Sequence, residues 1–192
     1  MIIVSTDYDR LTSVLAEFAD ELENYGGAVQ VLKKASSGDL EKILGSSKSS
    51  VIFFGHGKIN PPSLLDQSES ALWGSHAESL LEERVLYANA CHSLEALAGL
   101  GVARIGFSGK LEVYDDQAYF AAQRDCILAG PRALLAGKTV REAADESKQA
   151  FRGRQRELFR GTFGESVIAI RIFKANADRL AFTGDETARG RS

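Results

Sequence analysis

Two short apolar runs, each ending in a small residue and a reactive side chain, constrain the fold of this chain most. The first, Val51–Phe54, leads into a Gly-His-Gly turn that contains His56, and the second starts at Val85 and leads to Cys91. Such runs are too short for helices and are typical of strands buried on both faces. Because the carboxyl ends of parallel strands meet at one edge of a sheet, we expect His56 and Cys91 at the same edge.

Strand and helix patterns alternate along the rest of the chain. Further strands are expected over residues 1–4, 28–32, 102–107 and 166–173, with a weaker one over 179–183. Helices are expected from the Asp9 cap to residue 22, and over 37–43, 94–100, 117–129 and from the Thr139 capping box onward. Residues 58–83 are expected to form loops and one short helix. This alternation predicts an α/β fold with a mostly parallel central sheet of about six strands and helices on both faces.

Size and composition narrow the possible classes of protein. The sequence predicts one domain over residues 1–183, followed by a polar tail over 184–192 that is expected to be disordered. A net charge of −3 gives no reason to expect nucleic acid or an anionic membrane as a partner. No apolar run approaches the roughly 20 residues that span a bilayer, and no secretory signal pattern starts the sequence. Two cysteines make a poor disulfide framework, so a cytoplasmic location is predicted.

The two motifs resemble those of a known family. A strand followed by His-Gly, and a later strand followed by Ala-Cys-x-Ser, is similar to the caspase-like cysteine peptidases, which include caspases, metacaspases, legumain, gingipain and separase. Segments 115–120 and 134–143 make bacterial CHAT domains the closest resemblance. Leu94 departs from the glycine that many members have after Cys-x-Ser, and the spacing from His56 to Cys91 is shorter than the roughly 50 residues of caspases.

The resemblance implies a caspase-like three-layer sandwich and a cysteine endopeptidase that cuts specific protein targets, in a bacterial regulatory or defence pathway. Cys91 would attack the scissile carbonyl, His56 would handle the proton, and the backbone amides of Gly57 and Cys91 would hold the oxyanion. A protein substrate is therefore the expected partner. Because the tetratricopeptide repeats that often accompany CHAT domains are not found here, a separate regulatory or sensor protein is a second expected partner.

Substrate preference is predicted from three residues near strand ends. The resemblance places the ends of the first, fourth and fifth strands beside the nucleophile, where Asp7, Asn89 and Asp115 occur. Carboxylates there would favour Lys or Arg in the substrate. The alternative is that Asp7 and Asp115 are helix caps or solvated turn residues.

Other readings of the same residues stay open at this point. Cys126 lies in an apolar helical segment and is expected in the core, and His92 adjoins Cys91, which makes it a poorer base than His56. No metal-ligand spacing occurs, so neither a metal nor a cofactor is expected. A catalytically silent binding module of the same fold is one alternative function. An amidotransferase-like thiol hydrolase is another, although its Gly-x-Cys-x-Gly elbow is missing. The sequence leaves the oligomeric state open.

Overall fold

Six strands form a central sheet in the computed structural model, which describes residues 1–25, 29–73, 77–114, 116–160 and 166–191. Their order across the sheet is β2-β1-β3-β6-β7-β8, and all neighbours are parallel except the antiparallel pair β7 and β8. The strands are β1 (Ile2–Ser5), β2 (Gln30–Lys33), β3 (Val51–Phe54), β6 (Val85–Asn89), β7 (Ala103–Phe107) and β8 (Leu180–Gly184); β4 (Gly57–Ile59) and β5 (Pro62–Leu64) form a separate hairpin. The predicted α/β class and mostly parallel sheet are confirmed.

Helices cover both faces of the sheet. The helices are α1 (Arg10–Glu23), α2 (Ser37–Ser46), α3 (Ala77–Leu81), α4 (Ser93–Ala96), α5 (Gln117–Leu135), α6 (Val140–Arg160) and α7 (Ser166–Arg179). Alternate residues of β1, β3 and β6 enter two separate cores, as the two-residue period of a strand requires. Residues of α1, α5, α6 and α7 fill one core, and residues of α2, α3 and α4 fill the other.

The central position of β3 explains its uninterrupted apolar sequence. All four of its residues are buried, and it pairs with β1 on one side and with β6 on the other. Ile52 and Phe54 enter the core beside α1, whereas Val51 and Phe53 enter the opposite core. A strand covered by helices on both faces has no solvent-facing side, so it carries no alternating polar residues.

The expected strand over residues 166–173 is wrong, because this segment begins helix α7. Its β-branched residues favour a strand locally. Its buried residues nevertheless follow a helical spacing that becomes visible only when the sequence is read on to Ala177; they are Ala169, Ile172, Phe173, Asn176 and Ala177. Helix α5 was also expected to stop before Pro131, yet it continues through this buried proline to Leu135.

The C-terminal tail is docked against the rest of the fold over its described residues, which end at Arg191. Gly184 ends strand β8, and the carbonyl groups of Glu186 and Ala188 accept hydrogen bonds from the backbone of α6. Near the end of the chain, the backbone N–H of Arg191 donates to the Ser50 hydroxyl at 2.9 Å, and the Ser50 N–H donates to the Arg191 carbonyl. These bonds tie residues 186–191 to helix α6 and to the start of β3.

None of the helices within the described ranges is long and apolar enough to cross a bilayer.

Candidate functional site

The register of β3 and β6 brings the two motif turns to the same edge of the sheet. Phe54 and Asn89 are paired at the ends of these parallel strands, and His56 and Cys91 each follow two residues later. The two turns approach closely, because a Cβ atom placed on Gly57 would lie 2.0 Å from the carbonyl oxygen of Cys91. Only glycine fits at this position, which gives the His-Gly pair of the motif a physical reason.

Asp9 orients the His56 ring. The Nε2 atom of His56 lies 2.6 Å from a carboxylate oxygen of Asp9, and the ring packs against Tyr8 with 5.4 Å between ring centroids. The imidazole is 24% exposed and the Asp9 side chain 44% exposed. Two neighbouring residues of the loop that joins β1 to α1 therefore hold the histidine in place.

The carboxylate of Asp9 performs two tasks. One of its oxygens caps helix α1 by accepting the Thr12 backbone N–H at 2.8 Å, and the other contacts His56. Partial burial acts to raise the pKa of Asp9, but the hydrogen bonds from Thr12 and His56 outweigh it and lower that pKa below its ordinary value. The helix cap was predicted from the sequence and the histidine contact was not, because no local pattern distinguishes the two roles.

Cys91 is partly exposed, whereas Cys126 is buried, and both thiols are free. The Sγ atom of Cys91 donates to the Leu111 carbonyl at 3.7 Å. Burial raises the pKa of the Cys126 thiol to about 12, which makes it unreactive at neutral pH. The structure thus agrees with the expectation that Cys126 belongs to the core, and it leaves Cys91 as the accessible thiol.

Ser93 fixes the turn that carries Cys91. Its hydroxyl is fully buried, donates to the Ala88 carbonyl at 3.1 Å and accepts the Phe107 backbone N–H at 2.8 Å. These two bonds fasten the turn to β6 and to β7. His92, which lies between Cys91 and Ser93 in the turn, adopts a left-handed conformation with φ of 52°, and its backbone N–H donates to the Gly109 carbonyl. The expected helix over 94–100 is reduced to the single turn of α4, so its dipole adds little at Cys91.

An extended segment of residues 110–114, which we name the cleft segment, runs beside Cys91 after β7. Its even-numbered residues are bonded on the side away from the thiol. The Asn176 side chain binds the N–H and the carbonyl of Glu112, and the Gln123 side chain does the same for Tyr114. The odd-numbered Leu111 directs its carbonyl to Cys91 instead. This alternation is that of a β-strand.

A cavity of about 740 Å³ opens next to Cys91, between helix α1 and the cleft segment. Its apolar walls come from six side chains: Leu11, Val14, Leu111, Val113, Phe120 and Ile172. Its charged side chains are Arg10, Glu17, Lys110, Glu112 and Asp116. Glu17 and Asp116 are exposed at the rim, and Glu112 is paired with Arg179 at 2.5 Å. None of these three carboxylates was predicted from the sequence to bind substrate.

The residues predicted to bind substrate lie in three different situations. Asp7 borders a separate recess of about 200 Å³, where its carboxylate accepts the Ser13 hydroxyl and lies 3.6 Å from the Lys34 Nζ atom. Asn89 is fully buried, and its amide makes no hydrogen bond within the described part of the chain. Asp115 falls outside the described residues. These assignments therefore stay predictions.

Over the described ranges, no group of three or more His, Cys, Asp or Glu side chains is arranged to bind a metal ion. The site itself offers a thiol, an imidazole and a carboxylate.

Comparison with known proteins identifies a solved structure of similar architecture. No family model matches the sequence, and no curated protein matches it. Among the solved structures, the chain is similar to the Arg-specific cysteine proteinase gingipain R, with a TM-score of 0.56 and 13% sequence identity. The match covers 99% of this chain and 47% of that one, so the chain spans about half the length of this structural relative. At this identity the likeness concerns the fold alone, and the fold of this chain is caspase-like.

Proposed function

We propose that this protein is a cysteine endopeptidase in which Cys91 is the nucleophile and His56 the general base. The observation that carries the proposal is the meeting of the His56 and Cys91 turns at the sheet edge, beside the cavity and the cleft segment. The motifs also support a narrower likeness to CHAT domains and a role in bacterial regulation or defence. The two free cysteines support a reducing compartment such as the cytoplasm.

The proposed reaction uses the two ring nitrogens of His56 separately. Asp9 engages Nε2, which leaves Nδ1 to accept the Cys91 thiol proton. The thiolate then attacks the scissile carbonyl carbon, and the tetrahedral intermediate collapses by breaking the C–N bond. His56 returns the proton to the leaving amine, and water subsequently hydrolyses the acyl-enzyme thioester.

The cleft segment supplies a place for the substrate backbone. Because Glu112 and Tyr114 are bonded on one side, the backbone groups of Val113 point toward the side of Cys91, and no partner for them occurs among the described residues. An extended peptide can add to such an edge as a further strand. Strand addition would bring a peptide carbonyl alongside the thiol.

The cavity receives one substrate side chain in this proposal. Its apolar walls select a long stem, and the carboxylates of Glu17 and Asp116 favour a cationic tip, as in Lys or Arg. Arg10 and Lys110 on the same lining reduce that preference. A digest of a proteome-derived peptide library reads the preference directly from the new carboxyl termini.

Asp9→Asn isolates the contact with His56 from helix capping, because asparagine is as good an N-cap as aspartate. We expect the rate of peptide cleavage to fall on the order of tenfold or more, since the neutral amide cannot stabilise an imidazolium. The temperature of unfolding should change little. In the unmodified protein, the lowered pKa of Asp9 means that its ionised carboxylate adds to the free energy of unfolding at pH values above the ordinary aspartate pKa. This contribution is lost as the pH falls through the lowered pKa. A cleavage rate equal to that of the unmodified protein at pH 7 would contradict the orienting role.

Gly57→Ala tests the close approach of the two turns. The added methyl group would meet the Cys91 carbonyl at 2.0 Å, so the backbone around the thiol must shift. A displacement of about 1 Å at a reacting centre costs about 10²-fold in rate, and we expect a loss of that size in kcat/KM. Gly153→Ala is the matched control, because nothing lies within 4 Å of its added methyl group in helix α6. Equal activity of the two variants would remove Gly57 from the site.

A catalytically silent binding module is the second candidate function. It is favoured by one observation: the Cys91 thiol donates to the Leu111 carbonyl, and no hydrogen bond joins it to His56 in the described structure. The two functions differ in the reactivity of the thiol. An endopeptidase gives iodoacetamide labelling of Cys91 that slows in His56→Ala, together with digestion of the peptide library. Slow labelling that does not depend on His56, with no digestion, identifies the binding module.

A further inference from the structure

Asn176 and Gln123 hold the cleft segment in the way that a neighbouring strand would. Asn176, on helix α7, accepts the Glu112 N–H at 3.0 Å and donates to the Glu112 carbonyl at 2.7 Å. Gln123, on helix α5, accepts the Tyr114 N–H and donates to the Tyr114 carbonyl at 2.6 Å. A primary amide offers both an acceptor and donors, so each side chain satisfies both backbone groups of one residue.

Both amides are built into the interior of the protein. Asn176 is 1% exposed and Gln123 is 2% exposed, although these residue types are mostly found at the surface. A third contact continues the pattern, since the Arg179 guanidinium donates to the Lys110 carbonyl at 2.8 Å. Residues 110, 112 and 114 are thus all bonded on one side, with the two-residue period of a strand.

The two-residue period also determines which backbone groups lie on the opposite side of the cleft segment. Leu111 and Val113 lie between the bonded residues, so their backbone groups face the other way, toward Cys91 and its cavity. Without the two amides, Glu112 and Tyr114 could turn their own N–H and carbonyl groups to that side and change the register of the edge. The buried amides therefore select which residues can bond a peptide.

We propose that Asn176 and Gln123 are positioning residues that set the register of the peptide-binding edge beside Cys91. The inference rests on the proposed endopeptidase function and extends it to two residues that do not touch the substrate. They act through the backbone of Glu112 and Tyr114, so their loss affects the binding of an extended peptide and leaves the thiol itself unchanged.

The test compares two reagents that react with the same sulfur atom. Iodoacetamide needs only the thiol, whereas a tripeptidyl chloromethyl ketone must also lie along the cleft segment. The ratio of their rates at Cys91, measured by mass spectrometry, reports peptide positioning. We expect Gln123→Met and Asn176→Leu each to lower this ratio about tenfold, the effect of losing two hydrogen bonds, while the iodoacetamide rate stays within about twofold. Gln149→Met, at an exposed position of helix α6, is the matched control.

Gln123→Glu and Asn176→Asp keep the shape of each side chain. They replace the apolar variants in the same test if those variants fail to fold. In its ionised form each retains an acceptor for the backbone N–H and loses the donor to the carbonyl, so the ratio measured at alkaline pH should again fall. Amide hydrogen exchange should show faster exchange confined to the cleft segment. A high ratio in the unmodified protein that persists in the four variants overturns the positioning role alone. A ratio near that of a free thiol in the unmodified protein overturns the proposed endopeptidase and the positioning role together.

Discussion

Cys91→Ala is expected to abolish peptide hydrolysis while leaving the fold unchanged. Loss of the nucleophile removes the acyl-enzyme route altogether, and in hydrolases of this kind it lowers kcat on the order of 10⁴–10⁶-fold. The half-buried position of Cys91 allows a methyl group to replace the thiol with little effect on packing. The measurement is the appearance of new termini in a peptide library, followed by mass spectrometry over several hours.

Cys126→Ala supplies the matched control, because it removes the other thiol of the chain. Cys126 is 1% exposed and the raised pKa of its thiol keeps it protonated, so hydrolysis should continue at nearly the original rate. Stability should decrease modestly as a small cavity forms. Loss of hydrolysis in Cys126→Ala with activity retained in Cys91→Ala would exclude the proposed site.

Phe151→Ala is expected to have the largest effect on stability among the changes considered. Its ring is 1% exposed and lies between Phe107 of β7 and Phe173 of α7, with centroid separations of 6.5 and 6.2 Å. Truncating a buried phenylalanine costs about 3–5 kcal/mol in free energy of unfolding. For a chain of this size we expect the midpoint of thermal unfolding to fall by about 10 °C or more.

Phe159→Ala changes the same residue type two turns later on the same helix. Phe159 is 69% exposed, so its truncation should alter the free energy of unfolding by no more than about 0.5 kcal/mol. Urea unfolding curves of the two variants give the comparison. A similar loss in free energy of unfolding in both variants would mean that the packing of Phe151 between α6, α7 and β7 contributes less to stability than its burial implies.

The central sheet could be predicted from sequence because buried parallel strands leave a strong local signal. Val51–Phe54 and the run from Val85 are uninterrupted apolar segments, and each ends where a reactive residue follows. The meeting of the two turns then follows from a general rule of parallel sheets, whose strands bring their carboxyl ends together. The order of the strands across the sheet was not predicted. Helix α7 was missed because residues 166–173 are rich in β-branched side chains, and the deciding helical spacing extends beyond that window.

The supporting residues of the site could not be predicted, since each depends on tertiary contacts. Asp9 carries an ordinary N-cap signal, and only the fold brings His56 to its free oxygen. Gln123 and Asn176 occupy helical positions outside the motif segments, and their backbone partners lie at a sequence distance of 9 and 64 residues. Polar residues that serve a distant backbone look, in a single sequence, like any solvated side chain.

The docked tail has a consequence for how this protein can be joined to others. Arg191 bonds to the residue that precedes β3, and Gly190 packs close to the Met1 side chain, so both ends of the chain meet at the amino-terminal edge of the sheet. The cavity beside Cys91 lies at the opposite side of the sheet, where the parallel strands have their carboxyl ends. A label or tether attached near Met1 or Arg191 would therefore leave the entrance to Cys91 clear.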